Sequence, residues 1–134
     1  MTAIPWGIAP RRGHVVLVEL DPALAPEQNK TRPCVVVSND GANAAATRTG
    51  NAMVTVIPLT RTLRPGGVDR PYQAVIEPDE SGLPARSVAQ AEQVRSVSVR
   101  RIVRVIGHLD HQAQTRLDNA LRVHLALNGI TLSS

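Results

Sequence analysis

Aromatic side chains are almost missing from this 134-residue chain, which has one Trp, one Tyr and no Phe. A surface on which nucleobases stack ring upon ring is therefore excluded. Lysine is just as scarce: Lys30 is the only one among 15 basic residues, the rest being arginine. Cysteine occurs once, at Cys34, so neither an internal disulfide nor a cysteine-built zinc site is possible. Set among valines, Cys34 reads as a small buried hydrophobe. No run approaches the roughly 18 apolar residues that span a bilayer, and the first ten residues lack the apolar core of a secretory signal. The expected setting is the cytoplasm, with no membrane partner.

The length suits one domain with a core of its own, and the expectation is a single domain over 1–134. The net charge is +4 and the isoelectric point about 10.5. That balance is compatible with nucleic acid, since arginine presents a planar fork to phosphate, but an arginine-rich composition also follows from a GC-rich genome. If the chain holds RNA, it does so through backbone groups, arginines and polar side chains.

Residues 1–12 read as an irregular arm, with Pro5 and Pro10 against an ordinary helix. Strands are expected over about 14–20, 33–38, 52–59, 72–77, 87–90, 92–96 and 103–109. Between them 39–51 reads as a turn with one helical turn through its alanines, 78–84 as an acidic turn, and 98–101 as a tight turn. Asp110 is placed to cap a helix over 110–127, where Ala113, Leu117, Ala120, Leu121 and His124 recur at helical spacing. His124 is thereby expected in the core or at an interface. Many short strands followed by one terminal helix favour a small barrel or twisted sheet capped by that helix.

The unusual stretch is Glu27-Gln28-Asn29-Lys30-Thr31-Arg32-Pro33. About a dozen residues join the first two strands, where a plain hairpin needs only a few. Pro33 fixes its own φ and holds Arg32 extended at the root of the apolar strand Cys34-Val35-Val36-Val37. If strands two and three are antiparallel neighbours, Arg32 shares a sheet edge with Thr60, at the end of strand three. Glu27 reaches that edge through its loop, and Arg61 and Arg64 stand close by in sequence. Such a set suits RNA cleavage without a metal: Glu27 as base for a 2′-hydroxyl, Arg32 and Thr60 as donors to the attacked phosphate. On composition alone the plainer reading of Glu27, Lys30 and Arg32, a solvated loop held by a surface salt bridge, is favoured. The arginines at 95, 100, 101 and 104 read chiefly as a solvated face, and the four histidines show no metal-binding spacing.

One family is matched by a longer pattern. Gly13-His14-Val15-Val16-Leu17-Val18-Glu19-Leu20-Asp21-Pro22, then Glu27-Gln28, Lys30-Thr31-Arg32-Pro33 and Val35-Val36-Val37-Ser38, resembles the MazF/PemK toxins. Ile57-Pro58-Leu59-Thr60, Gly82-Leu83-Pro84 and Glu92-Gln93-Val94-Arg95-Ser96-Val97 extend the likeness, which runs from about Arg12 to Leu127. Pro26 stands where Gly, Ser or His is more usual, Glu92 where Asp is commoner, and Gln90 where some members carry Arg. The resemblance implies an SH3-like barrel of the CcdB/MazF type, mainly β with a C-terminal helix, forming a homodimer. It implies an endoribonuclease toxin of a type II toxin–antitoxin system. Such an enzyme cuts single-stranded RNA (mRNA first, with rRNA and tRNA as further candidates) at short motifs, leaving 2′,3′-cyclic phosphate and 5′-hydroxyl ends, with no metal or cofactor. The implied catalytic residues are Arg32, Thr60 and Glu27. The implied RNA-binding residues are Gln28, Lys30, Thr31, Arg61, Arg64, Gln93 and Arg95. A MazE-like antitoxin is expected to block the RNA groove through a segment that folds on binding. The alternative is a non-catalytic toxin of the same fold that acts by binding DNA gyrase or another target.

Overall fold

The computed structural model describes residues 9–19, 31–50, 52–61 and 70–129. The expectations for most of the arm, for the loop 20–30 and for the loop 62–69 lie outside them.

The strand β2 (Thr31–Val36) lies between β1 (His14–Glu19) and β3 (Met53–Arg61), antiparallel to both. Successive side chains of a strand face opposite ways, so an apolar run needs a core on each face. One core holds Val16, Val18, Cys34, Val36, Val54 and Val56. It also takes Val97 from β6 (Arg95–Ser98), Ile102 from β7 (Ile102–His108) and Ala46 from α1 (Asp40–Thr49). In the sheet β7 borders β1 while β6 borders β3. For these two edges to meet in one cluster, the sheet must curl into a barrel with these side chains inside.

The other core lies outside the barrel wall. Val15, Val35, Ile57 and Leu59 pack with Ala74 and Ile76 of β4 (Gln73–Ile76), Ala89 of β5 (Ser87–Gln90) and Ala113, Leu117 and Ala120 of α3 (His111–Leu125). Asp110 caps α3 by accepting from the Ala113 N–H at 2.8 Å. Arg116, on the same helix, donates to both carboxylate oxygens of Glu80 and to the Val75 carbonyl. Glu80 belongs to the single-turn helix α2 (Pro78–Ser81), where the sequence suggests only a turn. α2 sits so close to β7 that a Cβ on Gly107 would fall 1.9 Å from the Ser81 carbonyl oxygen.

Further sequence expectations are corrected. The segment 39–51 is no turn: Asp40–Thr49 is a ten-residue helix, capped by Asn39 and closed by Gly50 at φ 66°. Asn43, read as a loop residue, is fully buried and holds Ser38 through its carbonyl oxygen and its amide. Strand three does not stop at Pro58-Leu59 but runs on through Arg61. The strand expected at 92–96 is instead a 3-10 turn over Ala91–Gln93, with β6 starting at Arg95. The register explains the last two: β3 pairs with β5 at Leu59–Ala89 and with β6 at Val56–Arg95, so six steps along one edge face three along β3. The surplus is looped out as the turn. Pro58 lies beside this break in the neighbouring strand, a position where a missing N–H is tolerated. Finally, His124 is exposed, which removes the core and keeps the interface of its two expected places.

The entry to β1 is tied down by its own polar network. Arg12 pairs with Asp118 at 2.7 Å, donates through Nε to the Val37 carbonyl, and gives its N–H to Asp40 at 2.7 Å. His14 Nδ1 accepts the Arg11 N–H at 2.8 Å, and its ring meets that of His108, across the β1–β7 pair, at 5.3 Å between centroids. Burial, then the charges of His108 and Arg11, hold the His14 pKa below 6.5, against the opposing pull of Asp40. The unfolded chain thus binds more protons just below pH 6.5, and folding loses stability as pH falls through that window. Asp40, whose pKa is lowered mainly by the Arg12 N–H, acts only in the more acidic range below 3.8.

Two measurements check these contacts. Asn43→Ala leaves Ser38 without its buried partner and lowers unfolding stability by about 1–3 kcal/mol, read from the urea midpoint. His14→Gln, compared with the parent at neutral and mildly acidic pH, shows a smaller drop in the urea midpoint on acidification; an equal drop assigns the pH dependence to another group.

Candidate active site at the barrel mouth

The β2–β3 ladder ends at Cys34–Pro58. Arg32 and Thr60, each two residues beyond that pair on its own strand, fall by alternation on one face at the mouth end of the barrel. β1 and β5 frame them: Val18 pairs with Arg32, and Val88 with Thr60. Val18 is an interior residue, so Arg32 sits on the interior side of the sheet, one step beyond where the core ends. It is exposed, and Thr60 is half-buried. Pro33 stays within the ladder, opposite Leu17, so Arg32 projects from fixed backbone.

The floor under Arg32 is Cys34, which has no exposed surface. Burial pushes its thiol up to about 12, against the opposing fields of Arg32 and, less strongly, of Arg95. At neutral pH the sulfur is therefore an uncharged thiol, and its Sγ lies 3.6 Å from the Arg32 carbonyl. A thiolate here would neutralise the arginines; a thiol leaves their charge available to an anion. Nothing in the sequence marks Cys34 for this role, beyond its position two residues after Arg32.

The remaining sequence candidates divide. Arg95 pairs with Val56 and stands two residues before the interior Val97, so it shares the face of Arg32 and Thr60. Thr31 and Arg61 are exposed at the same end of the sheet, but alternation puts each on the face opposite its neighbour, Arg32 or Thr60. Gln93 is exposed in the 3-10 turn between β5 and β6. In that turn Glu92 accepts from the Gln73 amide at 2.6 Å, while its second carboxylate oxygen is buried with no hydrogen-bond partner. Glu27, Gln28, Lys30 and Arg64 lie outside the described residues. Arg100 and Arg101 donate to the Gly50 and Glu19 carbonyls, so both brace the structure. Among the described residues no cluster of three or more His, Cys, Asp or Glu side chains could hold a metal ion.

Fold and site together define a curled antiparallel barrel with a terminal helix, carrying arginines and a hydroxyl over a neutral floor at its mouth. The chain belongs to the PemK-like, MazF-like toxins of type II toxin–antitoxin systems, whose family profile matches residues 11–125. It is 44% identical over 117 residues to the endoribonuclease MazF9 of Mycobacterium tuberculosis (strain ATCC 25618 / H37Rv), covering 87% of this chain and 97% of that protein. It is 30% identical over 117 residues to the endoribonuclease EndoA of Bacillus subtilis (strain 168), covering 87% and 95%. Among solved structures, a mycobacterial endoribonuclease in complex with its cognate antitoxin superposes with a TM-score of 0.69 at 21% identity, over 90% of this chain and 99% of that one. A MazE–MazF complex from Deinococcus radiodurans superposes with a TM-score of 0.66 at 19% identity, over 90% and 99%. The likeness at this identity is one of fold, and it agrees with the SH3-like barrel expected from the sequence.

Proposed function

We infer that this toxin is an endoribonuclease that cuts single-stranded RNA at the barrel mouth, by attack of the 2′-hydroxyl on its own 3′-phosphate. The observation that supports the reading is the alternation that puts Arg32 and Thr60, two residues beyond the Cys34–Pro58 pair, on the face of the neutral Cys34 thiol. Glu27 removes the 2′ proton. The 2′-oxygen bonds to phosphorus, and charge builds on the non-bridging oxygens. Arg32 meets that charge with its fork, and the Thr60 hydroxyl donates to the same oxygens. The bond to the 5′-oxygen breaks, the departing oxygen takes a proton from water at the exposed mouth, and 2′,3′-cyclic phosphate and 5′-hydroxyl ends remain. All three roles belong to side chains, so the reaction runs without a metal cofactor. Arginine, with a pKa above about 12, is assigned charge stabilisation and not proton donation.

Gln28, Lys30, Thr31, Arg61, Arg64, Gln93 and Arg95 are assigned to the path of the strand, with mRNA the first substrate and rRNA and tRNA the others. The two named antitoxin complexes support a partner of the same kind here, a MazE-like antitoxin that covers the groove. The working form is a homodimer in the cytoplasm; no helix among the described residues is long and apolar enough to cross a membrane.

In EDTA, the purified protein cleaves RNA to 5′-hydroxyl ends. Arg32→Ala and Thr60→Ala each lower kcat by about 10²–10³-fold, and Glu27→Gln by about 10²–10⁴-fold. Parent activity in Arg32→Ala overturns the mechanism, and absence of cleavage by the parent overturns the function.

A further inference from the structure

We propose that His14 is a proton-released latch on the entry to β1. When its ring takes up a second proton, it lets go of the Arg11 N–H, and the chain at Arg11 opens while the turn from Arg12 onward stays closed.

The geometry is a closed loop of two hydrogen bonds. The His14 N–H donates to the Arg11 carbonyl at 2.9 Å, and the Arg11 N–H donates back to His14 Nδ1 at 2.8 Å. The second bond fixes the tautomer. A nitrogen that accepts carries no proton, so in the neutral ring the hydrogen sits on Nε2. A second proton can go only to Nδ1. There it sets a donor against a donor, and the bond to Arg11 becomes a repulsion.

The surroundings load the latch against that proton. His14 is half-buried, and His108 stands opposite it on β7 with the two rings edge to face at 5.3 Å. Desolvation opposes the charge most, then His108, then Arg11, while Asp40 at the head of α1 favours it. α3 adds no charge to the balance: Gln114, which is neutral, lies against Gly13, and Asp118 is taken up by Arg12. The closed form thus holds a second proton more weakly than the open one. As pH falls below the ordinary imidazole value of 6.5, proton uptake shifts the balance toward the open form.

What opens is narrow. Arg12 keeps three contacts that involve no histidine: its N–H to Asp40, its Nε to the Val37 carbonyl and its guanidinium to Asp118. Gly13 donates to the Val36 carbonyl at 2.8 Å and accepts from the Leu109 N–H at 2.9 Å. Asp40, its pKa lowered from 3.8, stays ionised through the window. The side chain of Arg11 has only a 3.6 Å pair with Asp40, between groups at least half exposed, which holds it weakly. Two neighbouring amides therefore answer to different acceptors. Arg11 depends on an imidazole that titrates, and Arg12 on a carboxylate that does not. The latch lies at the end of β1 away from Val18 and Arg32, so its opening leaves the mouth in place.

The test is amide hydrogen exchange of the intact protein, read by NMR from about pH 7.5 to about pH 5, across the range where imidazole titrates. Each rate is divided by the intrinsic rate at the same pH. Arg11 loses protection by up to about tenfold per pH unit, the slope of one proton, while Arg12 and Gly13 keep theirs. The ring nitrogen shifts of His14 show a bare Nδ1 and a protonated Nε2 at neutral pH, and both protonated as Arg11 opens. His14→Gln, which has no titrating ring, removes the pH dependence of Arg11 protection. An Arg11 amide that is unprotected at neutral pH, or that follows Arg12 and Gly13 at every pH, overturns the proposal. So does a neutral His14 with its proton on Nδ1.

Discussion

Everything at the mouth depends on β2 being apolar on both faces. A strand with one buried face can slip by a residue and expose its core side, a cost felt on one face only. β2 has no face to spare: Val35 packs outward under α3 and β4, while Cys34 and Val36 pack inward against β6 and β7. A slip by one residue exchanges the two cores at once. The register with β1 and β3 is thus fixed from both sides, and with it the position of Arg32 against Thr60. On the mechanism proposed above, the preorganisation needed to stabilise charge in a phosphate displacement comes from hydrophobic packing two residues away.

That packing also sets the electrostatics. An arginine at the end of a core strand stands at the boundary between a low-dielectric interior and water, where its field toward a bound anion is less screened than at an open surface. The cost is a site with little tolerance for a second charge beneath it. Cysteine meets this condition. It is small enough for the interior, and burial keeps it protonated against two nearby cations. An aspartate at the same place would form an internal salt bridge with Arg32 and leave no free cation for RNA.

The barrel wall was legible in the sequence because its strands carry their own signal. Val15 through Val18 and Cys34 through Val37 are apolar runs bounded by turn residues, and Asp110 announces its helix by the chemistry of capping. Legibility ended where local preference was overruled from elsewhere. Asn39 and Gly50 are the caps of α1, but Asn43 between them reads as a loop residue until its bonds to Ser38 are known. The 3-10 turn at Ala91–Gln93 follows from a mismatch between two pairings of β3, which no single stretch contains. Arg12 resembles any arginine of a basic arm, and only the fold brings Asp118, over a hundred positions away, within 2.7 Å. At the candidate site the shared face of Arg32 and Thr60 was readable, because a strand root and a strand end in antiparallel neighbours lie at the same end of the sheet. Cys34 was not, because its part depends on charges arriving from two different strands.

The same contrast bears on how a toxin of this kind keeps its chemistry while its target sequence varies. The phosphate is common to every nucleotide, and Arg32 and Thr60, proposed to meet it, stand on strands locked by two cores. Bases differ, and of the residues assigned to the path of the strand Gln93 lies in the 3-10 turn, outside the ladders. A substitution in β2 or β3 disturbs both cores and moves Arg32 or Thr60 with them. A substitution in the connections alters which bases fit and leaves the register untouched. Arg95 stands between these regimes: it opens β6 directly after the 3-10 turn, so its backbone is held by β3 while the residues before it are not in the ladder.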